Sequence, residues 1–227
     1  MQNNVVSPFH ALPPVVVALA VIIGGLEVMF QAATLGVLGG QGGVGWRIAA
    51  VQDYGVFEEI AAFMWENRVY PIRHLVRFVT YPLIHAGAVH AIFVIVLILA
   101  MGNMVGRAFS PLAFLVIFFA SSIGGALGFV VILNDATPLI GGYAGVYGLI
   151  GAFTFLLWAN LAQRGGNQYQ AFALIGALLA VQLIFGIIQG AFGDVVAEMI
   201  GFTTGFLLSF IVRPGGGQDL LAKLRSR

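Results

Sequence analysis

Leu139-Ile-Gly-Gly-Tyr-Ala-Gly-Val-Tyr-Gly-Leu-Ile-Gly-Ala-Phe-Thr-Phe-Leu-Leu-Trp158 is a run of 20 residues without a charged side chain. At 1.5 Å of rise per residue, a helix of this length crosses the roughly 30 Å of hydrocarbon in a bilayer. Its glycines, Gly141, Gly142, Gly145, Gly148 and Gly151, recur at intervals that place several on one helical face. Small residues at such spacings let helix backbones approach closely in lipid, where apolar burial drives no association. Working outward, apolar runs of comparable length lie at Val15 to Phe30, Leu83 to Met101, Leu112 to Leu133, Ala171 to Phe192 and Val195 to Val212. The pattern predicts an all-α polytopic membrane protein of six transmembrane helices, occupying residues 1–212 and followed by a flexible tail from 213 to 227.

Composition leads to the same class. Of 227 residues, 60% are hydrophobic and 8% charged, too few charges to solvate the surface of a globule of that size. The bilayer is the expected principal partner. A net charge of +1, with no stretch interleaving basic and aromatic residues, argues against a nucleic-acid partner. Zero cysteines exclude disulfides, thiolate metal sites and a cysteine nucleophile. The N-terminus carries no basic residue before its first apolar run and is not expected to be a cleaved signal. Arg107, Arg164, Arg213, Lys223, Arg225 and Arg227 fall on one side of a six-span arrangement, and Asp135 and Asp194 on the other. Both termini are therefore expected to be cytoplasmic, which fits a bacterial inner membrane.

The connection from Thr34 to Phe78 is too long for a simple loop and holds arginines against acidic residues in balance. Phe57, Ile60, Ala61 and Met64 recur at helical spacing opposite Glu58, Glu59 and Glu66, with Trp46, Trp65 and Tyr70 nearby. This predicts a helical loop lying in the membrane interface.

Ionisable groups at membrane depth are costly and therefore informative. Glu198, early in the last span, is a candidate for a specific role, whereas Glu27 reads as an interface residue and His85 and His90 as opening-turn residues of the second span. Two histidines five apart do not share a helical face, and no ligand trio accompanies them, so neither a metal nor a cofactor is expected.

Three segments together resemble the rhomboid family of intramembrane serine proteases. Arg77-Phe78-Val79-Thr80 precedes His85, His90 and Gly102; Gly141-Gly142-Tyr143-Ala144-Gly145-Val146-Tyr147-Gly148 is similar to the family's Gly-Ala-Ser-Gly-Ala-Ile-Phe-Gly; and Ala197-Glu198-Met199-Ile200-Gly201-Phe202, with Gly205, is similar to Ala-His-Ile-Gly-Gly-Phe. The resemblance implies a six-helix bundle whose fourth and sixth helices meet closely, through Gly141, Gly145, Gly148, Gly201 and Gly205, below a water-accessible cavity. It also implies a Ser-His dyad, and there the chain departs. The serine position is Tyr143, the histidine position Glu198, and the asparagine expected after His90 is Val94. Of that set only His90, whose family position lines the oxyanion region, remains. No serine lies in the fourth span and no histidine follows His90. Acyl transfer needs an activated nucleophile and an adjacent base. The expectation is a pseudoprotease in which Tyr143 and Glu198 form a structural pair. Its binding surface for a transmembrane client or membrane-protein partner would comprise His85, His90, Tyr143, Tyr147 and Glu198.

Overall fold

The computed structural model describes residues 12–133, 137–189 and 193–213, without the side chains of 182–189 and 193. Asp135, residues 190–192 at the end of the expected fifth span, and the tail from 214 onward lie outside the described residues. Helix is the repetitive structure throughout, with one isolated antiparallel bridge between Val56 and Leu139 among the described residues.

Among the described residues, five helices are long and apolar enough to cross a membrane: α1 (Pro14–Thr34) and, after a series of shorter segments, α7 (Ala88–Ala108), α8 (Pro111–Ile132), α9 (Tyr143–Gln163) and α11 (Gly193–Val212). The short segments between α1 and α7 are α2 (Gly40–Gly43), α3 (Trp46–Tyr54), α4 (Glu58–Asn67), α5 (Ile72–Leu75) and α6 (Arg77–Thr80). The expected fifth span contains α10 (Ala173–Gln189), which at 17 residues is shorter than the other five.

Local chemistry sets several boundaries. Ser110 caps α8, its Oγ accepting from the Ala113 amide at 3.2 Å, and Pro111 occupies the first helical position, where no amide is needed. The second span begins later than its apolar run because Tyr81–Leu83 forms a 3₁₀ turn around Pro82 and the chain stays non-helical to Gly87. His85 therefore precedes the helix rather than sitting in its opening turn. The fourth span likewise starts at Tyr143 rather than Leu139, because Leu139 exchanges both backbone hydrogen bonds with Val56, at 3.1 and 2.9 Å. Gly141, expected on a helical packing face, lies instead in the turn before α9.

α9 is the most enclosed of the spans, with 61% of its apolar window buried against 39% or less for the others. It is the bundle's centre, and the remaining spans keep lipid-facing sides. Side chains are nearly absent where α9 meets α11: a methyl group at Gly201 would strike the Ala144 carbonyl, one at Gly205 the Gly148 carbonyl, and one at Gly151 the Phe202 carbonyl. α8 joins at Gly125, which faces the Ala197 carbonyl and Ala144 Cβ, so three helices touch at one level. On the other side of the core, Gly102 and Gly106 of α7 accommodate Val16 and Pro13 from the start of α1. Phe114, Ile117 and Phe118 of α8 fill the space between α7 and α9, fully buried.

The long first loop is folded rather than loose. In and just before α4, Met64 is buried and Phe57, Ile60 and Ala61 are half-buried, with Glu59 and Glu66 exposed; Glu58, expected on the polar side, is half-buried like the apolar residues. Two arginines hold the loop down. Arg77, itself buried, donates to the carbonyls of Gln52 and Gly55 at 2.7 and 2.8 Å, and its guanidinium lies over Phe57. Arg47 donates to both oxygens of Glu27 in α1 at 2.8 Å and to the His85 carbonyl at 2.7 Å. Gln31 donates to Glu27 from one turn on. Glu27 is thus a buried, paired carboxylate and not the interface residue expected, because Arg47 folds back 20 positions to meet it.

Candidate functional site

The site is assembled where the extended segments preceding α7 and α9 cross. Tyr81 is fully buried beneath that crossing: its hydroxyl donates to the Ser122 carbonyl at 2.7 Å and its own carbonyl accepts from the Gly141 amide at 3.0 Å. Burial holds the Tyr81 phenol protonated far above the ordinary tyrosine range, chiefly by desolvating the charged form.

Above it, Gly141 adopts φ +90°, a left-handed conformation that glycine takes without strain. A Cβ there would come within 2.6 Å of the His90 ring, so glycine is required twice over. The turn brings the Gly142 amide to Nε2 of His85 at 3.4 Å. His85 is buried, and its ring meets that of His90 edge-on with centroids 5.1 Å apart. Helical spacing separates positions 85 and 90, but His85 is not helical, which is how the two rings come together. His90 is held from the other side, its Nδ1 accepting from the Ala86 amide at 3.2 Å.

Tyr143, the first residue of α9, stacks its ring on His90 at 5.0 Å and 22°. Aromatic pairs at this separation contribute about 0.5–1.5 kcal/mol beyond their buried area. Glu198 stands one turn before Gly201 in α11 and is buried, with 3% of its surface exposed. The crossing of α9 and α11 sets positions 143 and 198 at one level, where Gly125 of α8 faces both Ala144 and the Ala197 carbonyl. Val94, one turn after His90, is fully buried and packs where a side chain at Gly142 would lie. Tyr147, one turn after Tyr143, faces inward and joins the main core. Gly145 rests against Phe118 and Ser122, and Gly148 against Ser121, so these two glycines admit α8 rather than a ligand.

Among the described residues, no group of three or more histidine, aspartate or glutamate side chains is placed to hold a metal ion. Sequence reasoning named His85, His90, Tyr143 and Glu198 but gave no role to Tyr81 or Arg47, and quoted Arg77 only as part of a motif. Nothing in the sequence marks Arg77 off from Arg68 and Arg73 of the same loop, because its partners are backbone carbonyls more than 20 residues away.

The Rhomboid domain pattern matches residues 73–215, from the arginine-anchored segment to the end of α11. RHOMBOID-like protein 1 of Arabidopsis thaliana is 28% identical over 136 residues, which is 59% of this chain and 34% of that protein. Inactive RHOMBOID-like protein 8 of the same plant is 32% identical over 126 residues, 56% of this chain and 35% of that protein. The chain spans about a third of the length of the curated relatives it matches. With the family pattern covering most of its length, in the segments that build the site, the chain belongs to the rhomboid family.

Proposed function

We propose that this chain is a rhomboid pseudoprotease of six transmembrane helices, with α10 as the fifth, that binds transmembrane segments or serves as a subunit of a membrane-protein complex. The carrying observation is that the ring at the family's nucleophile position, Tyr143, is stacked on His90. A phenol with an ordinary pKa near 10 is a weak substitute for a serine activated by histidine, and the base position is a carboxylate, Glu198. The α9–α11 crossing that would carry a dyad is kept, with aromatic and carboxylate side chains in place of hydroxyl and imidazole. That a relative bears the name Inactive RHOMBOID-like protein 8 supports the reading. The basic residues at Arg107, Arg164 and Arg213 favour cytoplasmic termini, as in a bacterial inner membrane.

The test is purification of the tagged full chain in mild detergent, with mass spectrometry of what accompanies it and a cleavage assay on a generic transmembrane substrate in liposomes. The expected result is a stoichiometric membrane partner and no cleavage. Cleavage that disappears in Glu198→Gln or Tyr143→Phe would overturn the reading in favour of an intramembrane endopeptidase with an unusual site.

A further inference from the structure

A groove of about 900 Å³ runs between the first loop and α8, away from the Tyr143 site. Its walls are apolar: Trp65, Phe78 and Val79 on the loop side, Ile123, Leu127 and Val131 on the helix side. Leu127, Val131, Val79 and Trp65 are all well exposed, the first two on a helix long and apolar enough to cross a membrane. The groove lies along the C-terminal half of α8, and its mouth is a second depression lined by Trp65, Glu66, Arg68 and Tyr70. Glu66 and Arg68 are both exposed, one anionic and one cationic, at the same opening. Arg68 is set there by the left-handed turn that ends α4, at φ 54°.

We infer that this groove is a binding site for one phospholipid with a primary-amine headgroup, that is, a phosphatidylethanolamine. An acyl chain fills the apolar trough and the zwitterionic headgroup sits at the mouth. The phosphate pairs with the Arg68 guanidinium, and the ammonium donates to the Glu66 carboxylate. The Trp65 and Tyr70 rings occupy the level of the headgroup, where amphipathic aromatics settle.

The charge pattern discriminates among headgroups. A quaternary choline cannot donate a hydrogen bond to Glu66. A glycerol headgroup brings no cation, so Glu66 only repels the neighbouring phosphate. A site recognising anionic lipid alone would carry cations without the carboxylate. The occupant is a lipid and not a polypeptide because the mouth pairs one charge of each sign beside a trough open to hydrocarbon, which is the pattern of a zwitterionic amphiphile.

The test uses the full chain in mild detergent, incubated with an equimolar mixture of phosphatidylethanolamine, phosphatidylcholine and phosphatidylglycerol, with bound lipid read by native mass spectrometry. One tightly held phosphatidylethanolamine is expected, preferred over the other two by roughly fivefold, the scale of one exposed ion pair. Glu66→Gln should reduce the preference over phosphatidylcholine to near unity, Arg68→Gln should weaken retention of all three, and Leu127→Trp should block the trough. The helical circular dichroism of each variant checks that it has folded. Indiscriminate retention by the unaltered chain, or a preference unchanged in Glu66→Gln, would overturn the inference. So would a photocrosslinker at Val131 that captures a polypeptide in native membranes instead of phospholipid.

Discussion

Between α9 and α11 the contact is made by removing side chains, whereas the first loop is fastened by adding the largest cation available. At the α9–α11 crossing, Gly151, Gly201 and Gly205 let backbone lie on backbone. In the loop, Arg47 and Arg77 reach across 20 or more residues and satisfy carbonyls and a carboxylate that helices do not cover. The difference follows from what each region offers. Two spans present finished hydrogen-bond ladders and need only proximity, while a loop of short helices exposes backbone ends that must find donors. Rigidity at Tyr143 depends on both, since α11 supports one side of α9's first turn and the arginine-held loop supports the other through the Val56–Leu139 bridge.

Five substitutions, one of them a second-site rescue, sharpen or break that contrast, the largest effect first. Arg47→Ala leaves Glu27 buried without its cation and is expected to cost about 3–5 kcal/mol, read by denaturation in detergent. Glu27→Met in the same chain should recover much of the loss, and a single-mutant loss below about 1 kcal/mol would mean the pair is not the fastening described. Gly205→Leu drives a side chain into the Gly148 carbonyl and should cost about 3 kcal/mol, the upper part of the overpacking range, because backbone cannot move aside. Arg77→Lys keeps the charge but gives up the planar fork that serves two carbonyls, for about 1–3 kcal/mol; an unchanged melting temperature would show the loop held by other contacts. Gly25→Ala, in an exposed position of α1 with nothing within 4 Å, should gain about 0.5–1 kcal/mol in a parallel melt, marking it as a glycine with no packing duty.

Five of the six expected spans are legible in the sequence because lipid imposes a simple rule on length and polarity; of the glycines that the family resemblance implies between the fourth and sixth spans, Gly201 and Gly205 meet α9, whereas Gly145 and Gly148 face α8 and Gly141 lies in a turn. What the pattern could not give was the interruption of that rule. Apolar residues run through Ile84 to Gly87 and Leu139 to Gly142 into the helices that follow, yet neither stretch is helical. Hydropathy reads composition, while the break is made by Pro82, by Gly141's left-handed turn and by pairing with a distant strand-like residue, Val56. The same limit explains the histidines. Helical spacing holds His85 and His90 apart, and only the extended backbone at His85 lets their rings touch. Glu27 was misjudged for a related reason, since its partner is remote in sequence and its identity follows from the folded loop alone.

The Glu27–Arg47 pair also bears on how the chain is made. A span inserted before Arg47 docks would present the Glu27 carboxyl to the bilayer without its counterion, an unfavourable state that its own apolar length would have to offset until the loop closes over it.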